Sequence, residues 1–114
     1  MTARLFHFTC DHGRAAIGAR GVLRPYRHAQ LGVDLLWLTS TSWPDRQATG
    51  LTSRYTSCDR MAHRYLVARQ APCEPWLGSD VRAAADPALV AALEGLGAPE
   101  QWWISAAPVP GRLG

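Results

Sequence analysis

The clearest alternation of apolar and polar positions lies near the start of the chain, over Leu5–Cys10. Residues 5, 7 and 9 fall on one face of this stretch and residues 6, 8 and 10 on the other. A period of two that includes two aromatic residues and a threonine predicts a β-strand. Asp11 then stands as an N-cap before Arg14–Arg20, and Gly21 follows. This order predicts a short helix that ends at the glycine.

Three later apolar runs predict further strands, over Val33–Thr39, His63–Arg69 and Gln101–Ser105. The first of these is apolar on both faces near its end, which is typical of a central strand. A second helix is predicted over residues 87–94. It has Asp86 as an N-cap, a proline at its first position and a glycine directly after its end.

The order of these elements is strand, helix, several strands, helix, strand. Because the helices do not alternate regularly with the strands, the pattern favours an α+β domain with small mixed or antiparallel sheets and two short helices. Residues 45–57 and 72–78 carry turn-forming residues and are predicted as loops, with a helical turn near residues 44–48. We predict one domain over residues 1–105 and an irregular tail over residues 106–114, which contains Pro108 and Pro110.

The composition excludes several classes of protein. With 114 residues the chain suits one domain with a modest core, and its net charge of +3 is spread without a run of four basic residues. No apolar run approaches the roughly 20 residues of a membrane span, and no signal peptide is recognised. Three widely spaced cysteines do not form a disulfide framework. We therefore expect a cytoplasmic protein with no membrane partner.

Histidine and cysteine residues raise the question of a metal site. Cys10 with His12 and Cys58 with His63 supply four potential ligands, but neither pair has the close spacing typical of zinc sites. A G-x-S-x-G motif, a P-loop and a G-x-G-x-x-G motif are all absent from the sequence. We expect no metal, and any nucleotide site must be built in another way.

One set of polar and aromatic residues is compatible with a binding cleft. If the first strand and Val33–Thr39 are neighbours, His7 faces a cleft bordered by hydroxyls and rings, which suits a flat heteroaromatic ring joined to a ribose. Glu100 then offers a carboxylate to a ribose hydroxyl and to an oxocarbenium-like transition state. In the alternative interpretation, His7 is a hydrogen-bonded core residue and Glu100 is solvated. The candidate binding residues are His7, Thr9, Tyr26, Thr39, Ser40, Tyr55 and Tyr65.

The segment from residue 5 to residue 25 resembles a known family. Leu5-Phe6-His7-Phe8-Thr9, a short helix ending at Gly21, and Val22-Leu23-Arg24-Pro25 are similar to the opening of ADP-ribosyltransferase-like domains. The closest group has a His-Tyr-Glu type triad and includes the DNA-modifying toxin DarT and the RNA 2′-phosphotransferases. The resemblance implies that His7, with Thr9 beside it, binds the ribose of NAD. It also implies a mid-chain aromatic, Tyr55 or Tyr65, stacked on nicotinamide, and a late Glu that assists transfer.

Two features depart from that family. The chain is short for a catalytic member, which leaves little room for a substrate-recognition loop. The late acid also depends on the strand register, because Glu100 is followed by Gln101. An amide at the family position can hold a hydroxyl but cannot stabilise a cation by charge.

Three functions follow as hypotheses. The first is an NAD-dependent ADP-ribosyltransferase that uses His7 and Glu100 and acts on an unidentified acceptor, with nucleic acid and protein both open. The second is a non-catalytic module of the same fold that binds a nucleotide or a protein. The third is a nucleic acid binder that uses arginines near the first helix. Whether a carboxylate reaches the ribose side of the cleft separates the first two.

Overall fold

The structure, a computed structural model, describes residues 4–44, 46–49, 59–68 and 72–114. The strands in this part of the chain are β1 Phe6–Thr9, β2 Val22–Leu23, β3 Tyr26–His28, β4 Val33–Thr39, β5 His63–Val67, β6 Glu74–Pro75, β7 Trp102–Ser105 and β8 Val109–Leu113. The helices are α1 Asp11–Ile17, α2 Arg46–Thr49, α3 Asp80–Ala84 and α4 Pro87–Glu94, with 3₁₀ turns at Gly18–Arg20 and Pro99–Gln101.

The strands form one antiparallel sheet with β1 near its centre. Their order is β2-β8-β5-β1-β4-β7-β6, and β3 pairs with β4 beside this path. The predicted neighbourhood of the first strand and Val33–Thr39 is confirmed, because Phe6 lies opposite Thr39. The predicted α+β class is confirmed as well, as an antiparallel sheet with a few short helices.

Alternate side chains along β4 belong to two separate hydrophobic cores. Leu36 and Leu38 belong to one buried cluster, whereas Leu35 belongs to the other. Successive side chains of a strand point to opposite faces of the sheet, so the clusters lie on opposite faces. The sequence pattern that favoured a central strand is explained by burial on both sides. The first cluster contains Leu5, Leu23, Leu36, Leu38, Tyr65, Val67 and Val109. The second contains Leu35, Trp76, Trp102 and Ile104.

Both helices predicted from the sequence are present. In α4, the carboxylate of Asp86 accepts a hydrogen bond from the Ala88 N–H at 3.1 Å, and Gly95 forms the C-cap. In α1 the N-cap is Cys10, one residue earlier than predicted, and Asp11 lies in the first turn. Helix α3 was not predicted. Among the described helices, none has the length and apolar character that crossing a bilayer requires.

The C-terminal segment differs from the predicted irregular tail. It forms β8, which lies between β2 and β5 and pairs with both. Pro110 is exposed, and Val109 is completely buried in the first core cluster. Two prolines and a glycine are poor strand signals, so the sequence pattern does not reveal this element. Its position depends instead on the long-range pairing of Val109 with Leu23.

A polar network attaches the helices to the second core. Trp76, which is fully buried, donates its indole N–H to Glu94 Oε2 at 2.8 Å. Arg82 donates to both oxygens of the same carboxylate, at 2.7 and 3.2 Å. The guanidinium of Arg82 holds the pKa of Glu94 below its ordinary value of 4.5, and the hydrogen bond from Trp76 acts in the same direction. One carboxylate thus links α3, α4 and the buried indole.

This network predicts a dependence of stability on pH. A lowered pKa means that the carboxylate stabilises the folded chain above pH 4.5, and that this contribution is lost as the pH falls through the lowered pKa. We expect Glu94→Gln to lower the free energy of unfolding by about 1–2 kcal/mol at pH 7. Urea unfolding at several pH values measures both effects. Glu74→Gln, at an exposed position, is the matched control, and an equal loss in the two variants would contradict the role of the network.

Candidate functional site

A gap in the strand pairing lies on the β1 side of β4. Here β1 pairs with β4 only at Thr39, opposite Phe6, whereas β7 pairs with Leu36–Thr39 on the other side. Strand β3 pairs with Val33–Leu35, at the start of β4. Residues of β1, β3 and β4 line one cleft.

His7 reaches into this gap from β1. Its Nδ1 lies 2.8 Å from the carbonyl oxygen of Trp37, in the unpaired stretch of β4. Because a carbonyl oxygen only accepts hydrogen bonds, Nδ1 carries the proton. Burial lowers the pKa of His7, against the opposing effect of this hydrogen bond, so the ring is neutral near pH 7. Its Nε2 is then an acceptor, and no described residue donates to it.

The cleft has the size of a ligand site. Its volume is about 700 Å³, within the usual range of roughly 300–1,000 Å³ for pockets that bind small molecules. Strands β1, β3 and β4 and the residues directly after them provide most of its wall, and Gly13, Thr49, Arg60, Leu93 and Trp102 also line it. The aromatic side chains that line the cleft are Phe6, Phe8, Tyr26, Trp37 and Trp102.

The charges on the cleft wall are of one sign. Arg27 and Arg60 are the cationic side chains among the described lining residues, and this lining contains no Asp or Glu. Arg27 also contacts its own hairpin, through Asp34 at 3.5 Å and the carbonyl oxygen of Gly32. The described residues hold no group of three or more His, Cys, Asp or Glu placed to bind a metal ion. The cleft therefore favours an anionic ligand.

Four residues proposed from the sequence line the cleft together. They are His7, Thr9, Tyr26 and Thr39. Thr9 is half-buried, and its hydroxyl lies so close to Gly13 of α1 that a Cβ at position 13 would approach Oγ1 to 1.8 Å. Tyr26 lies at the rim with 63% of its surface exposed, and the Thr39 hydroxyl accepts from the Thr41 N–H at 3.2 Å.

The other proposed residues are not part of the described cleft wall. Tyr65 lies opposite His7 on β5 but is buried in the first core cluster. Ser40 bonds through its backbone N–H to the Gln101 carbonyl at 2.9 Å. Glu100 is exposed in the 3₁₀ turn before β7. Tyr55 lies outside the described residues.

The pairing of β7 with β4 shows which residue near the start of β7 lines the cleft. Trp102 opposes Thr39 and lines the cleft, whereas neither Glu100 nor Gln101 does. The amide oxygen of Gln101 is buried and has no hydrogen-bond partner among the described residues. In this register the residue opposite Thr39 is an indole, and Glu100 and Gln101 precede it in the 3₁₀ turn.

Several lining residues were missed by the sequence analysis. The polar run Arg27–Gly32 predicts a loop, and His28 is therefore not among the candidate binding residues, although the run Tyr-Arg-His has the alternation of a short edge strand. Trp37 and Trp102 lie in predicted strands but are not among the candidate binding residues either, and their ring centres lie 6.0 Å apart. Arg60 follows a stretch with no clear period and carried no local signal.

A second aromatic group lies beside the cleft. The guanidinium of Arg64 lies 3.9 Å from the ring centre of Trp43 and 5.1 Å from that of Phe6. Trp43 also meets Phe8 edge to face at 6.1 Å. Such cation–π contacts are worth about 0.5–1 kcal/mol at an exposed site. They hold an indole that is 68% exposed against two residues of β1.

Comparisons of the chain with protein-family models, with curated proteins and with solved structures found no match. The resemblance of residues 5–25 to ADP-ribosyltransferase-like domains therefore stays a prediction.

Proposed function

We propose that the chain binds NAD in the cleft between β1 and β3 and transfers ADP-ribose from it to an acceptor, as an ADP-ribosyltransferase-like protein. The observation that carries this proposal is the state of His7. Its Nδ1–H is committed to the Trp37 carbonyl, so Nε2 offers a lone pair to a ligand hydroxyl. A ribose supplies such a hydroxyl, and the family resemblance gives the first-strand histidine this role.

The rest of the cleft wall supports the same ligand. Its aromatic side chains suit the flat faces of adenine and nicotinamide rings, and its volume of about 700 Å³ accommodates a drug-sized or larger ligand. Arg27 and Arg60 supply positive charge for a diphosphate. Hydroxyls of Thr9 and Thr39 offer further polar contacts at the β1 side.

In the proposed transfer, the bond between the nicotinamide nitrogen and ribose C1′ breaks, and nicotinamide leaves as a neutral ring. A nucleophile of the acceptor bonds to C1′ and loses its proton. Positive charge develops on the ribose between these events, so a nearby carboxylate would accelerate the reaction. Glu100 is the carboxylate proposed for this role.

A second candidate function is a non-catalytic NAD- or nucleotide-binding module of the same fold. It is favoured by one observation, the lack of any Asp or Glu among the described residues that line the cleft. Glu100 is exposed outside this wall. A cleft without a carboxylate binds the ligand but does little to stabilise an oxocarbenium ion.

Binding is tested by calorimetry with NAD on three histidine variants. We expect His7→Ala to weaken binding about tenfold or more, the effect of losing one well-formed hydrogen bond. His7→Asn retains an amide N–H that can serve the Trp37 carbonyl but lacks the Nε2 acceptor, so it should fold and still bind weakly. His12→Ala, at an exposed position on α1, is the matched control. No binding by the wild type, or equal binding by His7→Asn, would overturn the proposal.

Transfer is separated from binding by measuring nicotinamide release from NAD. If the chain is an enzyme, release occurs with the wild type and falls in Glu100→Gln while the dissociation constant for NAD is unchanged. If the chain is a binding module, NAD binds and no nicotinamide is released by either protein. The second result would remove the catalytic part of the proposal and leave the binding part.

A further inference from the structure

A second imidazole lines the cleft, from β3 rather than β1. His28 ends β3 and is half-buried, with its ring centre 6.1 Å from that of Trp37. Its Nδ1 lies 3.2 Å from the backbone nitrogen of Leu31. A backbone N–H can only donate, so Nδ1 of His28 holds a lone pair.

The protonation state of His28 follows from this contact. Burial lowers the pKa of His28, against the opposing effect of a hydrogen bond with its own backbone, so the neutral ring is favoured near pH 7. The Leu31 N–H donates to Nδ1. In a neutral imidazole whose Nδ1 accepts, the hydrogen is on Nε2. His28 therefore presents an N–H donor, whereas His7 presents an acceptor. The two rings flank Trp37, one at its carbonyl and the other at its indole.

We propose that His7 and His28 form an acceptor–donor pair that binds one nucleoside diphosphate across the cleft, with His7 Nε2 accepting from a ribose hydroxyl and His28 Nε2–H donating to a phosphate oxygen. This inference rests on the proposed binding of NAD and deepens it, because it assigns a residue to the diphosphate. It makes His28 a binding residue that complements His7 in chemistry as well as in position.

The assignment to a phosphate follows from the surroundings of His28. Arg27 precedes it on β3 and Arg60 lines the same cleft, while the described lining offers no carboxylate. A hydrogen bond to an ionised oxygen is stronger than one to a neutral carbonyl, and cations nearby add to it. The guanidinium of Arg27 is partly engaged by Asp34. The N–H of His28 is then a further, directed donor on the cleft wall.

The tautomers are tested first, on the free protein. Long-range ¹⁵N–¹H correlation spectra of the histidine rings distinguish a protonated Nδ1 from a protonated Nε2. We expect His7 to carry its hydrogen on Nδ1 and His28 on Nε2 at pH 7. Spectra of His7→Asn and His28→Gln assign the signals. The same tautomer at both positions would overturn the acceptor–donor pair, whatever the protein binds.

The contact to phosphate is tested by calorimetry with ADP-ribose and with nicotinamide riboside, which lacks phosphate. We expect His28→Ala to weaken binding of ADP-ribose about tenfold and to leave binding of nicotinamide riboside unchanged. His28→Gln keeps an N–H donor near the position of Nε2 and should recover most of the affinity. His12→Ala serves again as the exposed histidine control.

The two proposals fail in different ways in this experiment. Wild-type protein that binds neither NAD nor ADP-ribose would overturn the proposed function and the role of His28 with it. Wild-type binding that His28→Ala leaves intact would overturn the role of His28 alone. If His28→Ala lost affinity for nicotinamide riboside and NAD but not for ADP-ribose, His28 would contact the nicotinamide side of the ligand. That result would overturn the assignment to phosphate.

Discussion

Replacing Trp76 by alanine is expected to lower the free energy of unfolding by about 3–5 kcal/mol, the cost of removing a large aromatic side chain from a core. Trp76 is completely buried, and its ring centre lies 5.0 Å from that of Trp37. Its backbone N–H also donates to the Trp102 carbonyl at 2.9 Å. The substitution leaves a cavity in the second core and removes a hydrogen bond from Glu94.

Two control variants separate these contributions to the stability. Trp76→Phe keeps an aromatic ring but removes the indole N–H. It should therefore lower the free energy of unfolding less than Trp76→Ala does. Trp43→Ala removes the same side chain from a position that is 68% exposed, and we expect a loss of about 1 kcal/mol or less. Urea unfolding followed by circular dichroism measures all three. Similar losses in Trp43→Ala and Trp76→Ala would contradict the described core.

Replacing Gly21 by alanine has the second largest expected effect, a loss of about 2–4 kcal/mol. The residue has a φ of 65° and a ψ of 34°, in the left-handed region. A Cβ there would come within 2.7 Å of the carbonyl oxygen of Gly111, which is backbone and cannot rotate away. Gly111 also donates its N–H to the Gly21 carbonyl at 2.8 Å. Backbone strain and a steric clash therefore act together at the junction of β2 and β8.

Gly32→Ala is the matched control for this prediction. Gly32 also has a positive φ, of 70°, but no heavy atom lies within 4 Å of the Cβ that alanine would add. The free energy of unfolding of Gly32→Ala should fall only by the cost of the conformational strain, about 1 kcal/mol. The difference between the two variants in urea unfolding measures the clash. Equal losses would show that β8 does not lie against Gly21.

The sequence predicts the elements whose signals are local. The bounds of β4 follow from its apolar run, and those of α4 follow from Asp86 and Gly95, because caps and burial act within a few residues. In contrast, β8 depends on partners far along the chain, and its own residues include proline and glycine, so no periodic signal marks it. Strand β3 pairs with the neighbouring β4 in a hairpin, but its three residues are too few for a clear periodic signal.

The residues of the candidate site also fall into two groups, those predicted from a local pattern and those whose position depends on distant contacts. His7 and Thr9 share a strand face, and the position of β1 beside Thr39 follows from one correct assumption about neighbouring strands. The exclusion of Tyr65 from the cleft depends on which residues cover β5, and this is decided by Val109 and Leu23, which are distant in sequence. Sequence alternation gives the two faces of a strand but does not show which face another segment covers.

The position of β8 has a consequence for the order in which the chain folds during synthesis. Strands β2 and β5 leave the ribosome before residues 109–113, yet they are joined only through β8. Until that segment emerges, Leu23 and the free edge of β5 remain open to chaperones, proteases and other nascent chains. Folding of this half of the sheet is therefore completed only after residues 109–113 have emerged. A chain truncated after Ser105 would lack β8, even though it holds every described residue that lines the cleft.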